Sequence, residues 1–196
     1  MQVGAAFTRR EAPLLALADQ AEALSRASRD LAERFRRGGR LLVFGNGSSD
    51  AQHVAVEFVH PVIVGKRALP AISLTADAAT VTGIAERDGM GAIFAHQIRY
   101  LAAPADIALG ISADGNSESV LNGLLTAHGM GMLTIALAGA GGGVIGTSPA
   151  VDHVIATTAS DPRVVKEVHV TAYHVLWELV HVFFEQPGVL GPAVVG

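Results

Sequence analysis

The chain has no cysteine among its 196 residues, which excludes disulfides, thiolate metal ligation and a cysteine nucleophile and fits a reducing compartment. Basic clusters are absent as well. With a net charge of −4 and no run of lysine or arginine, nothing can grip a nucleic-acid backbone, so nucleic acid is not expected as the direct ligand. Glycine or a charged residue interrupts every apolar stretch before it reaches the length of a membrane span. The opening residues show no basic segment followed by a long apolar core, so the chain reads as cytoplasmic with no membrane partner. Fixed-period repeats are missing too: the 22 glycines gather at strand ends and over Gly139–Gly143, which marks turns and not a solenoid.

What is present is half apolar, enough for one well-buried α/β domain over 1–196 and too short for two complete ones. Leu14, Leu15, Leu17, Ala21, Leu24, Leu31 and Phe35 recur at helical spacing and predict a long amphipathic helix from Glu11 to Arg37, stopped by Gly38-Gly39. Residues 1–38 then form an oligomerisation helix ahead of an α/β core over 39–196. Apolar runs at Leu41–Phe44, Ala71–Leu74, Ile107–Ile111, Met132–Leu137 and Val154–Ala156 lack strict alternation, as strands covered on both faces do. Helical segments between them predict a parallel sheet of about five strands with helices on both sides. A last helix is expected from Arg163 to Glu185, ended by Pro187-Gly188.

Ligands of such sheets bind beyond the carboxyl ends of the strands. Two strand ends carry polar turns there: Gly45-Asn46-Gly47-Ser48-Ser49, and Ser112-Ala113-Asp114-Gly115-Asn116-Ser117. They should face one another across a crevice. Backbone N–H groups of such a turn, with the helix N-terminus behind it, favour an anionic group. His53 and Glu57 follow at i,i+4, which aims imidazole and carboxylate into one space. On the last helix, His174, Glu178 and His181 share a stripe, with Glu178 and His181 read as polar groups at a subunit interface. His60 reads as a capping or interface residue, His169 as structural or at an oligomer contact, and Trp177 as a packing residue at a core or interface position.

Three stretches, Gly45–Glu57 (GNGSSDAQHVAVE), Ile111–Ser117 (ISADGNS) and Lys166–His174 (KEVHVTAYH), resemble the signature segments of sugar isomerase (SIS) domains of the phosphoheptose isomerase type. The resemblance covers nearly the whole chain. It implies a three-layer, flavodoxin-like fold and a homotetramer with active sites at subunit contacts. It also implies interconversion of sedoheptulose 7-phosphate and D-glycero-D-manno-heptose 7-phosphate. It further implies a zinc ion held by a His and a Glu on the first core helix and by a Gln and a His on the last. The matching residues are His53, Glu57 and His174.

The chain departs from that pattern at four places. Lys166 stands at the Gln position, and a protonated ammonium has no lone pair for a metal, which argues against zinc. The loop usually written S-T-S-G-N-S has lost a hydroxyl and gained Asp114. The first loop is two residues shorter between Ser49 and Asp50, and Pro61 replaces an Arg. Lys166, Lys66 or Arg67 are the cations available to offset Asp114 beside a phosphate.

Aldose–ketose isomerisation needs a base at carbon, an acid for oxygen and a group that stabilises the enediolate. In this reading Glu57 is the base, His174 the acid/base on the opposite side, and Lys166 or a bound metal polarises the carbonyl. Asn46, Gly47, Ser48, Ser49, Ser112, Asp114, Asn116, Ser117 and Lys166 contact the phosphorylated sugar. The alternative function is a non-catalytic SIS module that binds a phosphorylated sugar or a protein partner as a regulator.

Overall fold

The computed structural model describes residues 3–47, 49–186, 188 and 190. Its centre is a five-stranded, wholly parallel sheet in the order β2-β1-β3-β4-β5, made of β1 (Leu41–Gly45), β2 (Ala71–Ser73), β3 (Ile107–Ser112), β4 (Leu133–Ala138) and β5 (His153–Ala156). Each of the five apolar runs of the sequence is a strand, within one residue at every end.

Side chains of one strand alternate between two cores, one on each face of the sheet. Leu41, Val43, Ile107, Leu109, Ile111, Ile135, Leu137 and Ile155 meet Leu24, Leu31, Phe35, Val54, Phe58, Val168, Leu176 and Val180. These helical residues belong to α2 (Ala21–Arg36), α3 (Asp50–Val59) and α8 (Pro162–Glu185). Leu42, Phe44, Ala108 and Ala136 point the other way, toward Ile84, Phe94, Ile98, Val120, Leu124 and Ile145. Those come from α4 (Ala78–Asp88), α5 (Ile93–Leu101), α6 (Glu118–Gly129) and α7 (Gly143–Gly146). Burial on both faces explains why the strands read as continuous apolar runs.

The leading segment differs from expectation. Instead of one helix over 11–37 there are two, α1 (Val3–Ala18) and α2, separated by a turn at Asp19-Gln20. Gln20 leaves the helix because its amide completes the sheet edge: Nε2 donates to Ala156 O at 2.7 Å, and Ala156 N donates to Oε1 at 3.1 Å. Leu14 and Leu15, on the apolar stripe expected to be free for a neighbouring subunit, are exposed at 36% and 70%. At the other end of the chain α8 begins one residue earlier than expected. Pro162 takes the first turn, where its missing N–H costs nothing, and the Asp161 side chain caps the Arg163 N–H at 3.0 Å. The Arg163 guanidinium holds the Asp161 carboxyl down at about 2.

The chain reverses its direction of travel across the sheet between β1 and β3. That switch point puts the loop after β1 beside the loop after β3, and ligand crevices of open parallel sheets form at such places.

Candidate active site

Two helices build the site. Asp50, His53 and Glu57 are spaced i, i+3, i+7 and share one stripe of α3. Lys166, His169, Tyr173 and Trp177 share a stripe of α8 that faces it. Three contacts join the stripes like rungs. Lys166 Nζ lies 3.2 Å from Asp50 Oδ1, the Tyr173 hydroxyl lies 2.6 Å from His53 Nδ1, and the Trp177 indole N–H donates to the Glu57 backbone carbonyl at 2.9 Å. Their order shows that α3 and α8 run in the same sense.

On the middle rung His53 Nε2 lies 3.1 Å from Glu57 Oε1. The rings of His53 and His174 stand edge to face with centroids 5.3 Å apart. One ligand atom from each of His53, Glu57 and His174 lies within 4.8 Å of the others. Glu57 and His174 open together onto a cavity of about 540 Å³ that Lys66, Trp177 and Glu178 also line.

The loops after β1 and β3 do meet. Asn46 Nδ2 donates to Ser117 Oγ at 3.2 Å and to Ser119 Oγ at 2.5 Å. The second loop is shaped by Gly115, whose φ of +70° belongs to the left-handed region; a Cβ there would stand 2.1 Å from Gly142 O. Within it, Asp114 folds back on the chain. Its Oδ1 accepts from Ser112 Oγ at 3.1 Å and from Asn116 N at 2.9 Å, two donors that would otherwise be offered to an anion. Asp114 and Asn116 are exposed, Ser112 is buried and Ser117 is half-buried. Ser49 is exposed and precedes α3 without capping it through its side chain. Ser48 lies outside the described residues.

Asn46, Gly47 and Lys166 line a second cavity of about 280 Å³, together with Asp50, Arg163 and His169. Two groups of candidates line cavities: Glu57 and His174 the larger, and Asn46, Gly47 and Lys166 the smaller; Ser49, Ser112, Asp114, Asn116 and Ser117 line neither. Of the other cations considered, Lys66 pairs with Glu185, and the Arg67 guanidinium sits 5.6 Å from the centre of the Phe184 ring.

Several residues carry more than their spacing suggested. Asp50 is 4% exposed and Tyr173 is 1% exposed, and neither stood out as a site residue. Their only sequence signal was membership of the same helical stripes as His53 and Lys166. Trp177, read as packing alone, also anchors the Glu57 backbone. His181, expected at a subunit interface, is buried within the chain, with its two ring nitrogens 2.9 Å from Trp177 O and 3.0 Å from Arg67 O. His169 is buried, and its Nε2 has no hydrogen-bond partner among the described residues. Burial pushes its imidazole below the ordinary range, against a backbone hydrogen bond to Ala138 and the charge of Asp50.

This arrangement can be set beside known proteins. The family model for the SIS domain matches residues 10–139. A phosphoheptose isomerase of Solidesulfovibrio magneticus is 40% identical over 177 residues, which cover 89% of this chain and 85% of that protein. This chain belongs to the phosphoheptose isomerase family. Solved structures agree. The phosphoheptose isomerase of Neisseria gonorrhoeae superposes with a TM-score of 0.83 at 27% identity, over 91% of this chain and 96% of that one. The Francisella tularensis phosphoheptose isomerase gives 0.81 at 30% identity, over 91% and 95%. The family's SIS fold is the parallel sheet described above, and the chain is a sugar-phosphate isomerase. No helix among the described residues is long and apolar enough to cross a membrane.

Proposed function

We propose that the chain interconverts sedoheptulose 7-phosphate and D-glycero-D-manno-heptose 7-phosphate through an enediol, with Glu57 as base and His174 as the acid/base on the other side of the substrate. One observation carries this reading: two helices far apart in sequence bring Glu57 and His174 to one cavity of about 540 Å³. In it, Glu57 removes the proton from the carbon beside the carbonyl, and His174 delivers a proton to the carbonyl oxygen. Reversal of the two transfers on the neighbouring atoms completes the exchange. The smaller cavity takes the anionic end, where Asn46 and Gly47 supply polar groups and Arg163 and Lys166 supply positive charge. This assignment uses Lys166 for the phosphate instead of the carbonyl, because Lys166 opens onto the smaller cavity.

The donor set is compatible with zinc. His53, Glu57 and His174 form a two-His, one-carboxylate group of the kind that holds catalytic zinc and leaves a position for substrate. Lys166 contributes no ligand atom. When bound, such an ion supplies Lewis-acid polarisation of a carbonyl.

The protein is further proposed to act in the cytoplasm as a homotetramer. Val62, Ile63 and Val64, exposed at 73%, 51% and 100%, stand beside the larger cavity, and Phe7 and Leu15 on α1 are exposed at 68% and 70%. Light scattering that returned a monomer would refute this assembly. The rival reading, a regulator without turnover, finds no support in relatives that are themselves named as isomerases.

The decisive experiment replaces Glu57 by Gln and follows both turnover and exchange of the substrate's carbon-bound hydrogen with deuterated water. Loss of a general base costs about 10²- to 10⁴-fold, and exchange should fall with turnover. Full turnover by Glu57→Gln would overturn the assignment.

A further inference from the structure

The base sits in the last turn of α3, where the helical ladder is cut short. His60 N donates to Val56 O at 2.7 Å, and the next bond of an α-helix would run from the N–H of residue 61 to Glu57 O. Residue 61 is proline and has no N–H. Proline also disfavours helical geometry in the residue before it, and His60 leaves the helix with φ −132° and ψ 76°. The Glu57 carbonyl is thereby orphaned by its own helix.

The last helix supplies the missing donor. The Trp177 indole N–H reaches Glu57 O at 2.9 Å. An indole nitrogen only donates and a carbonyl only accepts, so this bond has one possible direction. The following carbonyl, Phe58 O, is also met from outside the helix, by Leu69 N at 2.8 Å. The donor is itself held in place: Trp177 is 6% exposed, and its ring lies against that of the buried His181 with centroids 4.3 Å apart. The same side chain lines the larger cavity beside Glu57 and His174.

We propose that Trp177 is a positioning residue of this isomerase: its indole N–H stands in for the backbone donor that Pro61 lacks, and so fixes the turn of α3 from which the Glu57 carboxylate projects. The proposal rests on the reading of Glu57 as the base. The bond itself needs no particular protonation state at His53, Glu57 or His174, and it leaves their ligand atoms untouched. A misplacement of about 1 Å at a reacting group costs about 10²-fold, so removal of the donor should appear in kcat. KM should hardly move as long as the ring that lines the cavity is kept.

Trp177 is the single tryptophan of the chain, so β-(3-benzothienyl)alanine supplied in place of tryptophan enters at this position alone. This isostere exchanges the N–H for sulfur and keeps the bicyclic shape. It is expected to lower kcat by about 10- to 100-fold and to move KM by less than about twofold. In a Glu57→Gln background, where the base is gone, the same exchange should cost less than about twofold. Ultraviolet resonance Raman spectra of the wild type read the bond directly, because one indole mode follows N–H hydrogen bonding and only Trp177 contributes. An unchanged kcat in the folded isostere protein would overturn the proposal, as would an equal loss in the wild-type and Glu57→Gln backgrounds. So would a wild-type spectrum of an unbonded indole, a result that needs no variant to fold. If Glu57→Gln keeps full turnover, the reading of the base itself fails. If Glu57→Gln is inactive and the isostere protein is fully active, the positioning role alone fails.

Discussion

The Lys166–Asp50 pair joins α8 to α3 at the edge of the smaller cavity, and its strength can be worked from its geometry. At 3.2 Å, Coulomb's law gives about 1.3 kcal/mol in bulk water and about 5 kcal/mol at an effective dielectric of 20. The two ends differ in environment: the Asp50 side chain is 5% exposed and that of Lys166 is 48% exposed. Exposed pairs are worth about 0–1 kcal/mol, and breaking a buried pair costs about 3–5 kcal/mol. With one end buried and the other half in water, the coupling should be about 1–3 kcal/mol. Because Asp50 makes other interactions, the single variant Asp50→Asn would overstate the pair. A double-mutant cycle with Asp50→Asn, Lys166→Met and the combined variant subtracts those terms, provided the substitutions form no new contacts. Urea unfolding of the four proteins supplies the free energies, and raising the salt concentration should shrink the coupling only partly, since the buried end is poorly screened. A coupling below about 0.5 kcal/mol would refute the argument, because it is the value expected of a fully solvated pair.

Two further outcomes follow from the same region. Asp114→Ser removes a negative charge from the loop after β3 and frees the Asn116 N–H; at about 4 Å a like charge costs at least about 1 kcal/mol, so inorganic phosphate should bind about 5- to 30-fold more tightly in a calorimetric titration. Equal or weaker phosphate binding by that variant would show that Asp114 does not compete for the loop. His169 predicts a pH effect on stability. Its folded imidazole titrates below the ordinary value of 6.5. Above that value neither state binds the proton and the stability is fully present; as the pH falls from there toward the lowered folded value, the unfolded chain binds a proton that the folded chain refuses, and stability drops. The slope cannot exceed about 1.4 kcal/mol per pH unit for one group. His169→Leu should flatten this part of the curve in urea melts, and an unchanged slope would exclude His169 as its source.

The sheet was legible because burial on both faces leaves a simple trace, an apolar run bounded by turn residues, and five such runs gave five strands. The turn at Asp19-Gln20 was not legible. Nothing local forbids a helix there, and the break arises from a contact with Ala156 across 136 positions of chain. The acid/base group was half legible. His53 and Glu57 announce themselves at i,i+4, but spacing within one helix cannot say which face of another helix it will meet. His174 was attached to them through a resemblance, and only the packing of α8 on α3 puts its ring 5.3 Å from that of His53.

The residues that escaped the sequence reading have a common physical character. Asp50 and Tyr173 act by holding another side chain, and a supporting residue has no required type: an acid at 50 answers a lysine at 166, and a phenol at 173 answers an imidazole at 53. Reactive groups are constrained by the reaction and so fall into recognisable patterns, whereas their supports are constrained only by each other. Lys166 illustrates the consequence. Judged alone, it looks like the loss of a ligand. Judged with Asp50, it is one half of a local solution in which a half-exposed cation is held by a nearly buried carboxylate at the edge of the cavity that would receive the phosphate. A substitution at either position should therefore be interpreted only with its partner in view, which is why a four-protein cycle and not a single variant tests it.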